Sequence, residues 1–121
     1  MDFLFVGLGG AVGAMLRYEI SLLPYKGDFP LLTLITNFLG ALLIGFIVGA
    51  SVKNQWSAQM VLFLKVGVCG GFTTFSTFSL ESFHLLDIGR PYLAGGYMAL
   101  SVVLCLAGVA GGMAVARLMM A

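Results

Sequence analysis

Uncharged, mostly apolar residues fill four stretches of the chain, at 3–16, 30–52, 66–80 and 91–116. A helix that crosses a bilayer needs about 20 mostly apolar residues, so the pattern predicts four membrane-spanning helices. Extended to the nearest breakers, they run at roughly 3–23, 31–52, 57–86 and 92–119. The breakers are the 24–30 segment with Pro24, Lys26, Gly27, Asp28 and Pro30, then Lys53-Asn54-Gln55, then Asp87-Ile88-Gly89-Arg90-Pro91.

Polar positions inside these helices fall into stripes at helical spacing. Helix 2 carries Thr33, Thr36, Asn37 and Gly40 on one face, helix 3 carries Thr74, Thr77 and Glu81 with Thr73 and Ser76 beside them, and helix 4 carries Tyr97, Ser101, Cys105 and Gly108. A single Ser or Thr in a membrane helix ordinarily bonds back to its own backbone. Asn37 has an amide that its own turn does not satisfy, and three aligned stripes make a shared polar path the better explanation. The groups are neutral donors, and no carboxylate lies deep in helix 1, 2 or 4 to hold a cation. That composition favours an anion.

The stretch Gly70-Gly71-Phe72-Thr73-Thr74-Phe75-Ser76-Thr77-Phe78-Ser79 is the sharpest interruption. Glycine is a poor helix former and Thr rebinds freed backbone groups, so helix 3 is expected to break near its centre, over Gly70 to Thr74. Carbonyls exposed by such a break are ligands for a hard cation such as Na⁺; an unbroken helix with a packing notch competes. Phe72, Phe75 and Phe78 recur every three residues, and a ring edge carries partial positive charge that an anion can meet. Rings facing lipid or filling the core are the alternative.

Composition agrees with the pattern. Of 121 residues 60% are hydrophobic and 9% charged, with a mean hydropathy of +1.07, against about a quarter charged in a soluble domain. The whole chain, 1–121, reads as one four-helix transmembrane domain with no room for a soluble one. The N-terminal stretch lacks a basic segment and a cleavage site, and Arg17 and Glu19 follow it directly, so helix 1 is the better reading than a removed signal peptide. Cys69 and Cys105 do not make a redox or metal framework, and a net charge of +1 without a basic run argues against nucleic acid. Glu81-x-x-His84 is half of a di-iron motif without its other half and reads as an interfacial pair. Lys65 lies two turns into helix 3, where it can snorkel.

Lys53 and Arg117 fall on one face of the membrane and Arg17, Lys26 and Arg90 on the other, almost no bias for a positive-inside rule to act on. Two outcomes stay open on this count, insertion both ways up with antiparallel pairing, or a single orientation. The pairs Gly9/Gly13, Gly45/Gly49, Gly67/Gly71 and Gly108/Gly112, one in each helix, predict close helix contacts without naming a partner.

Taken together, GGAVGAMLRY at the end of helix 1, NFLG from Asn37, GVCGGFTTFSTFSLE in helix 3 and Tyr97 in helix 4 resemble the small fluoride channels of the Fluc/CrcB family, over nearly the whole chain. The resemblance implies an all-α, multi-pass protein of the bacterial inner membrane. It implies an antiparallel, dual-topology homodimer with two pores that passes F⁻ out of the cytoplasm down its gradient and excludes Cl⁻, and no enzymatic reaction. On the family pattern Phe75 and Phe78 are pore-lining rings, Asn37 is a donor to the ion, and Ser76, Thr77, Tyr97 and Ser101 belong to the polar track. Arg17 shapes the vestibule, and backbone carbonyls of Gly70 and Thr73 from both subunits hold a structural Na⁺. Cys105 stands where some relatives carry a hydroxyl, and a thiol donates weakly.

Two other functions compete. A small multidrug exporter coupled to protons needs a carboxylate in the middle of helix 1, whereas Glu19 lies near its end. A non-transporting assembly subunit uses the stripes only for packing and leaves Asn37 unexplained.

Overall fold

The structure, a computed structural model, describes residues 1–119, and the fold is all-α. Helix α1 spans Asp2–Ser21 and α2 spans Leu31–Asn54. The third span is composite: α3 at Ala58–Val61, a π-helical segment at Leu62–Cys69, α4 at Gly70–Phe72 and α5 at Phe75–Asp87. Helix α6 spans Pro91–Met119. Asp2–Ser21, Leu31–Asn54, Ala58–Asp87 and Pro91–Met119 are each long and apolar enough to cross a membrane, which makes this a multi-pass membrane protein.

Local chemistry sets the helix ends. Gln55 closes α2 in the left-handed conformation (φ 52°), and Ser57 caps the next helix by accepting from the Met60 amide at 3.2 Å. Gly89 (φ 80°) makes the turn after α5, where a side chain would be strained. Pro91 then opens α6 at the first helical position, where its missing N–H costs nothing. Across the same end of the bundle, Arg90 pairs with Asp28 at 2.9 Å. Both side chains are about half exposed, so the pair sets loop geometry more than stability.

Small residues decide which helices touch. α1 lies against the third span because Gly9 and Gly13 face Gly67, Val68 and Phe72 with no side chain between; a Cβ on Gly13 would sit 2.7 Å from the Phe72 nitrogen. α2 lies against α6 in the same way, and a Cβ on Gly112 would sit 2.8 Å from the Phe46 nitrogen. In lipid, where apolar burial between helices gains little, such backbone approach is the main source of association. Leu34, Leu85, Ala94 and Tyr97 form a buried cluster between α2, α5 and α6, with Phe29 and Phe78 packed on it. Large apolar side chains such as Phe3, Phe83 and Leu118 point outward, as a lipid-facing surface requires.

Within the stretch from Gly70 to Thr74, Gly70 and Gly71 are helical and the backbone turns extended at Thr73 (φ −84°, ψ 159°) and Thr74 (φ −149°, ψ 117°). Gly71 is spent on close approach, since a Cβ there would sit 3.0 Å from the Gly10 Cα. Thr74 leaves the helix as a side chain of α2 takes over its backbone bonds, whereas the Thr73 amide still donates to the Cys69 carbonyl at 3.0 Å. The π-helical turn over Leu62–Cys69 was not expected at all.

Candidate functional site

Asn37 of α2 meets the extended backbone at Thr74 with both ends of its amide. Its Nδ2 donates to the Thr74 carbonyl at 3.1 Å, and its Oδ1 accepts from the Thr74 amide at 2.8 Å. Thr74 also caps α5: its Oγ1 accepts from the Thr77 amide at 3.1 Å and donates to Thr77 Oγ1 at 3.0 Å. These substitutions release other groups. In an unbroken helix the Thr74 amide would serve the Gly70 carbonyl, and the Thr77 amide would serve the Thr73 carbonyl. Both carbonyls are therefore left without a helical donor. Gly71 is treated differently, because Arg17 Nε of α1 donates to its carbonyl at 3.1 Å.

About two turns beyond the break, Glu81 is gripped by two helices. Thr33 Oγ1 donates to Oε2 and the Tyr97 hydroxyl donates to Oε1, each at 3.0 Å. Tyr97 has no solvent exposure. Glu81 is thus held by hydroxyls from α2 and α6, and it lines the loop-end cavity together with His84. Among the polar stripes, Thr36 and Thr73 return their bonds to Leu32 and Cys69 of their own spans, as Ser82 does to Phe78.

The rings form a row. Phe75 and Phe78 have centroids 5.6 Å apart, Phe78 and Tyr97 5.2 Å, and Phe29 meets Tyr97 edge-on at 5.5 Å. Phe75 is 79% exposed and Phe78 half-buried, so the row runs from the open face of the bundle into its core. Beside it lies an open groove of about 460 Å³ between α2, the third span and α6, lined among others by Asn37, Thr73, Phe75, Phe78, Ser101 and Cys105. Ser101 Oγ is buried there without a hydrogen-bond partner. A much smaller hollow of about 70 Å³ on the other side of the break gathers Arg17, Thr33, Thr36, Thr74 and Thr77. At the loop end, about 480 Å³ is enclosed by residues that include Asp28, Phe29, Glu81 and His84.

The structure therefore brings Asn37, Phe75, Phe78 and Ser101 to one groove, with the Thr73 backbone and Gly70 along its wall. Ser76 is exposed, its hydroxyl 3.3 Å from Thr74 Oγ1. Tyr97 and Thr77 approach the row with their hydroxyls already bonded, and Arg17 stands behind the break. Thr33 and Glu81 were not expected as partners of Tyr97. The stripes on helices 2 and 3 contained both, but facing stripes do not reveal which hydroxyl reaches which acceptor.

Comparison with known proteins gives a consistent result. The family model described as "CrcB-like protein, Camphor Resistance (CrcB)" matches residues 4–113. A protein of Clostridium perfringens (strain 13 / Type A) is 47% identical over 120 residues, covering 96% of this chain and 94% of its own. One of Azobacteroides pseudotrichonymphae genomovar. CFP2 is 44% identical over 102 residues, covering 81% and 82%. One of Methanococcus maripaludis is 43% identical over 106 residues, covering 87% of each. All three carry the name "Fluoride-specific ion channel FluC".

Proposed function

Since this chain belongs to the CrcB-like family, we propose that it is a fluoride-specific channel, not an enzyme, that lets F⁻ leave the bacterial cytoplasm passively across the inner membrane. The observation that carries this reading is the groove in which a buried, unbonded Ser101 hydroxyl, the Asn37 amide and the Phe75 and Phe78 rings converge. F⁻ is small and strongly hydrated, so a selective path must replace its water with closely spaced donors while letting go at each step.

Each group has a definable share in that exchange. Asn37 uses one Nδ2 hydrogen on Thr74 and keeps the second, which makes it a rigidly aimed donor. Ser101 offers its full hydroxyl. The ring edges of Phe75 and Phe78 offer partial positive charge without a fixed cation to trap the ion. Farther on, Tyr97 and Thr33 hold the Glu81 carboxylate, so an arriving anion competes for hydroxyls already engaged. Ser76 and Thr77 extend the hydroxyl track along α5.

The functional unit in this proposal is an antiparallel homodimer with two pores. The open groove beside Gly70, where a Cβ would meet nothing within 4 Å, is the face on which a second copy would lie. The Gly70 and Thr73 carbonyls, stripped of helical donors by Asn37 and by the Thr74 cap, suit a hard monovalent cation. Donated by both copies, they would hold a structural Na⁺ that ties the two breaks together. Proton-coupled export is disfavoured because Glu19, the nearest carboxylate to the middle of α1, lies in its last turn.

A growth assay tests the proposal. Expressed in a bacterium made fluoride-sensitive by loss of its own exporter, the protein should restore growth in fluoride; no protection despite normal membrane expression would contradict it.

A further inference from the structure

We propose that Lys65 is an anion-collecting residue: its ammonium draws a hydrated monovalent anion to the groove mouth remote from Glu81, from which Ser101 takes it up. The inference rests on the channel reading above and adds a residue of this chain that the reading does not use.

Three elements fix where Lys65 stands. The groove is lined by Asn37, Gly40, Ala41 and Ile44 of α2, by Ser101, Cys105 and Val109 of α6, and by the third span from Phe78 back to Lys65. Each strand of this lining runs away from the Thr33–Glu81–Tyr97 cluster in the same direction. Lys65, Ile44 and Val109 are the lining residues of their elements farthest along the chain from that cluster; at 1.5 Å per residue, Val109 is about 18 Å along α6 from Tyr97. The lining residues of the third span come as Lys65/Val66, Cys69/Gly70 and Thr73/Thr74, at the four-residue spacing that puts them on one face.

Charge and bonding complete the case. Among the described residues that line the groove, Lys65 is the one with a fixed charge, and no carboxylate stands near it in that lining. The ion pair recorded among the described residues joins Arg90 to Asp28, and no hydrogen bond engages the Lys65 ammonium. Deeper in the same groove, Ser101 Oγ is buried with its hydrogen unspent. At the opposite end of the path Glu81 and His84 line the loop-end cavity with Asp28, whose charge Arg90 pairs. A lone ammonium at the mouth of a low-dielectric groove raises the local concentration of anions and the rate of their entry, and dissolved salt screens it. A Lys65 that only snorkels to lipid headgroups would have no such effect.

Two measurements on the full-length protein test this. In proteoliposomes, Lys65→Gln should slow fluoride efflux on the order of fivefold at about 0.01 M ionic strength and much less at about 1 M, where screening lengths shorten from about 30 Å to about 3 Å. Lys65→Arg should match the parent. Equal flux for Lys65→Gln and parent at low salt, a loss that persists undiminished at high salt, or the same loss in Lys65→Arg would overturn the proposal. The second measurement does not depend on conduction: Cys105 lines the same groove, so its labelling by anionic and cationic methanethiosulfonates, mapped by mass spectrometry, reads the local potential. Lys65→Gln should lower the anionic-to-cationic rate ratio. An unchanged ratio, or a Cys105 that reacts with neither reagent, would overturn it. A parent that conducts no fluoride yet shows the ratio change would sink the channel reading and leave the role of Lys65 as an anion collector intact.

Discussion

Thr74 is held by Asn37 through both of its main-chain groups, the amide at 2.8 Å and the carbonyl at 3.1 Å. A side chain from α2 thus does for both main-chain groups of one residue of the third span what a helix would otherwise do. Asn37→Ala leaves both Thr74 groups unpaired in a partly buried setting, at about 1–3 kcal/mol for each. The purified variant should melt well below the parent in detergent and conduct poorly. Parent-like melting would show that the backbone at Thr74 stands without Asn37.

Phe78 bridges Phe75 and Tyr97. Phe75→Ile and Phe78→Ile keep apolar volume but remove the ring edge, so each should cut fluoride flux strongly while the assembly stays intact on size exclusion. Normal flux in both variants would remove the rings from the path.

Neighbouring glycines separate folding from assembly. Gly71→Ala drives a methyl into the Gly10 backbone and should destabilise the fold by about 1–3 kcal/mol or more. Gly70→Ala meets open space within one chain, so in an antiparallel dimer it should weaken association and Na⁺ dependence with little effect on helicity. Circular dichroism and crosslinking distinguish the two, and identical behaviour would contradict the assignment.

Tyr97→Phe removes the donor to Glu81 Oε1 while keeping the buried ring. A hydrogen bond to a charged group is worth about 1.5–3 kcal/mol, so the variant should be less stable, and flux should change because the carboxylate regains freedom beside the path. Unchanged stability and flux together would show that the Glu81 contact is incidental.

Much of this was legible in the amino-acid pattern, for identifiable reasons. Hydropathy located four spans because lipid demands long uninterrupted apolar helices, and the stripes of α2 and α6 were found because a helix displays every third and fourth residue together. Asn37 stood out because its amide needs an external partner. What it pairs with was not legible: the sequence pointed the amide toward an ion, while the structure shows it spent largely on Thr74. The interruption expected over Gly70 to Thr74 was not narrowed further by sequence, because glycine lowers helix propensity wherever it lies. Gly71 serves contact with α1, and the threonines are the residues that depart from the helix. The π-helical turn and the grip of Thr33 and Tyr97 on Glu81 depend on how neighbouring spans pack, which no single-span periodicity records.

The central claim is fluoride-selective passive conduction. Purified protein in liposomes, with F⁻ and Cl⁻ efflux followed by ion-selective electrodes after potassium-ionophore addition, tests it most directly. The account predicts rapid F⁻ efflux with no Cl⁻ efflux above protein-free liposomes and no need for a proton gradient; equal rates for the two anions, or F⁻ efflux that stops without a proton gradient, would contradict it.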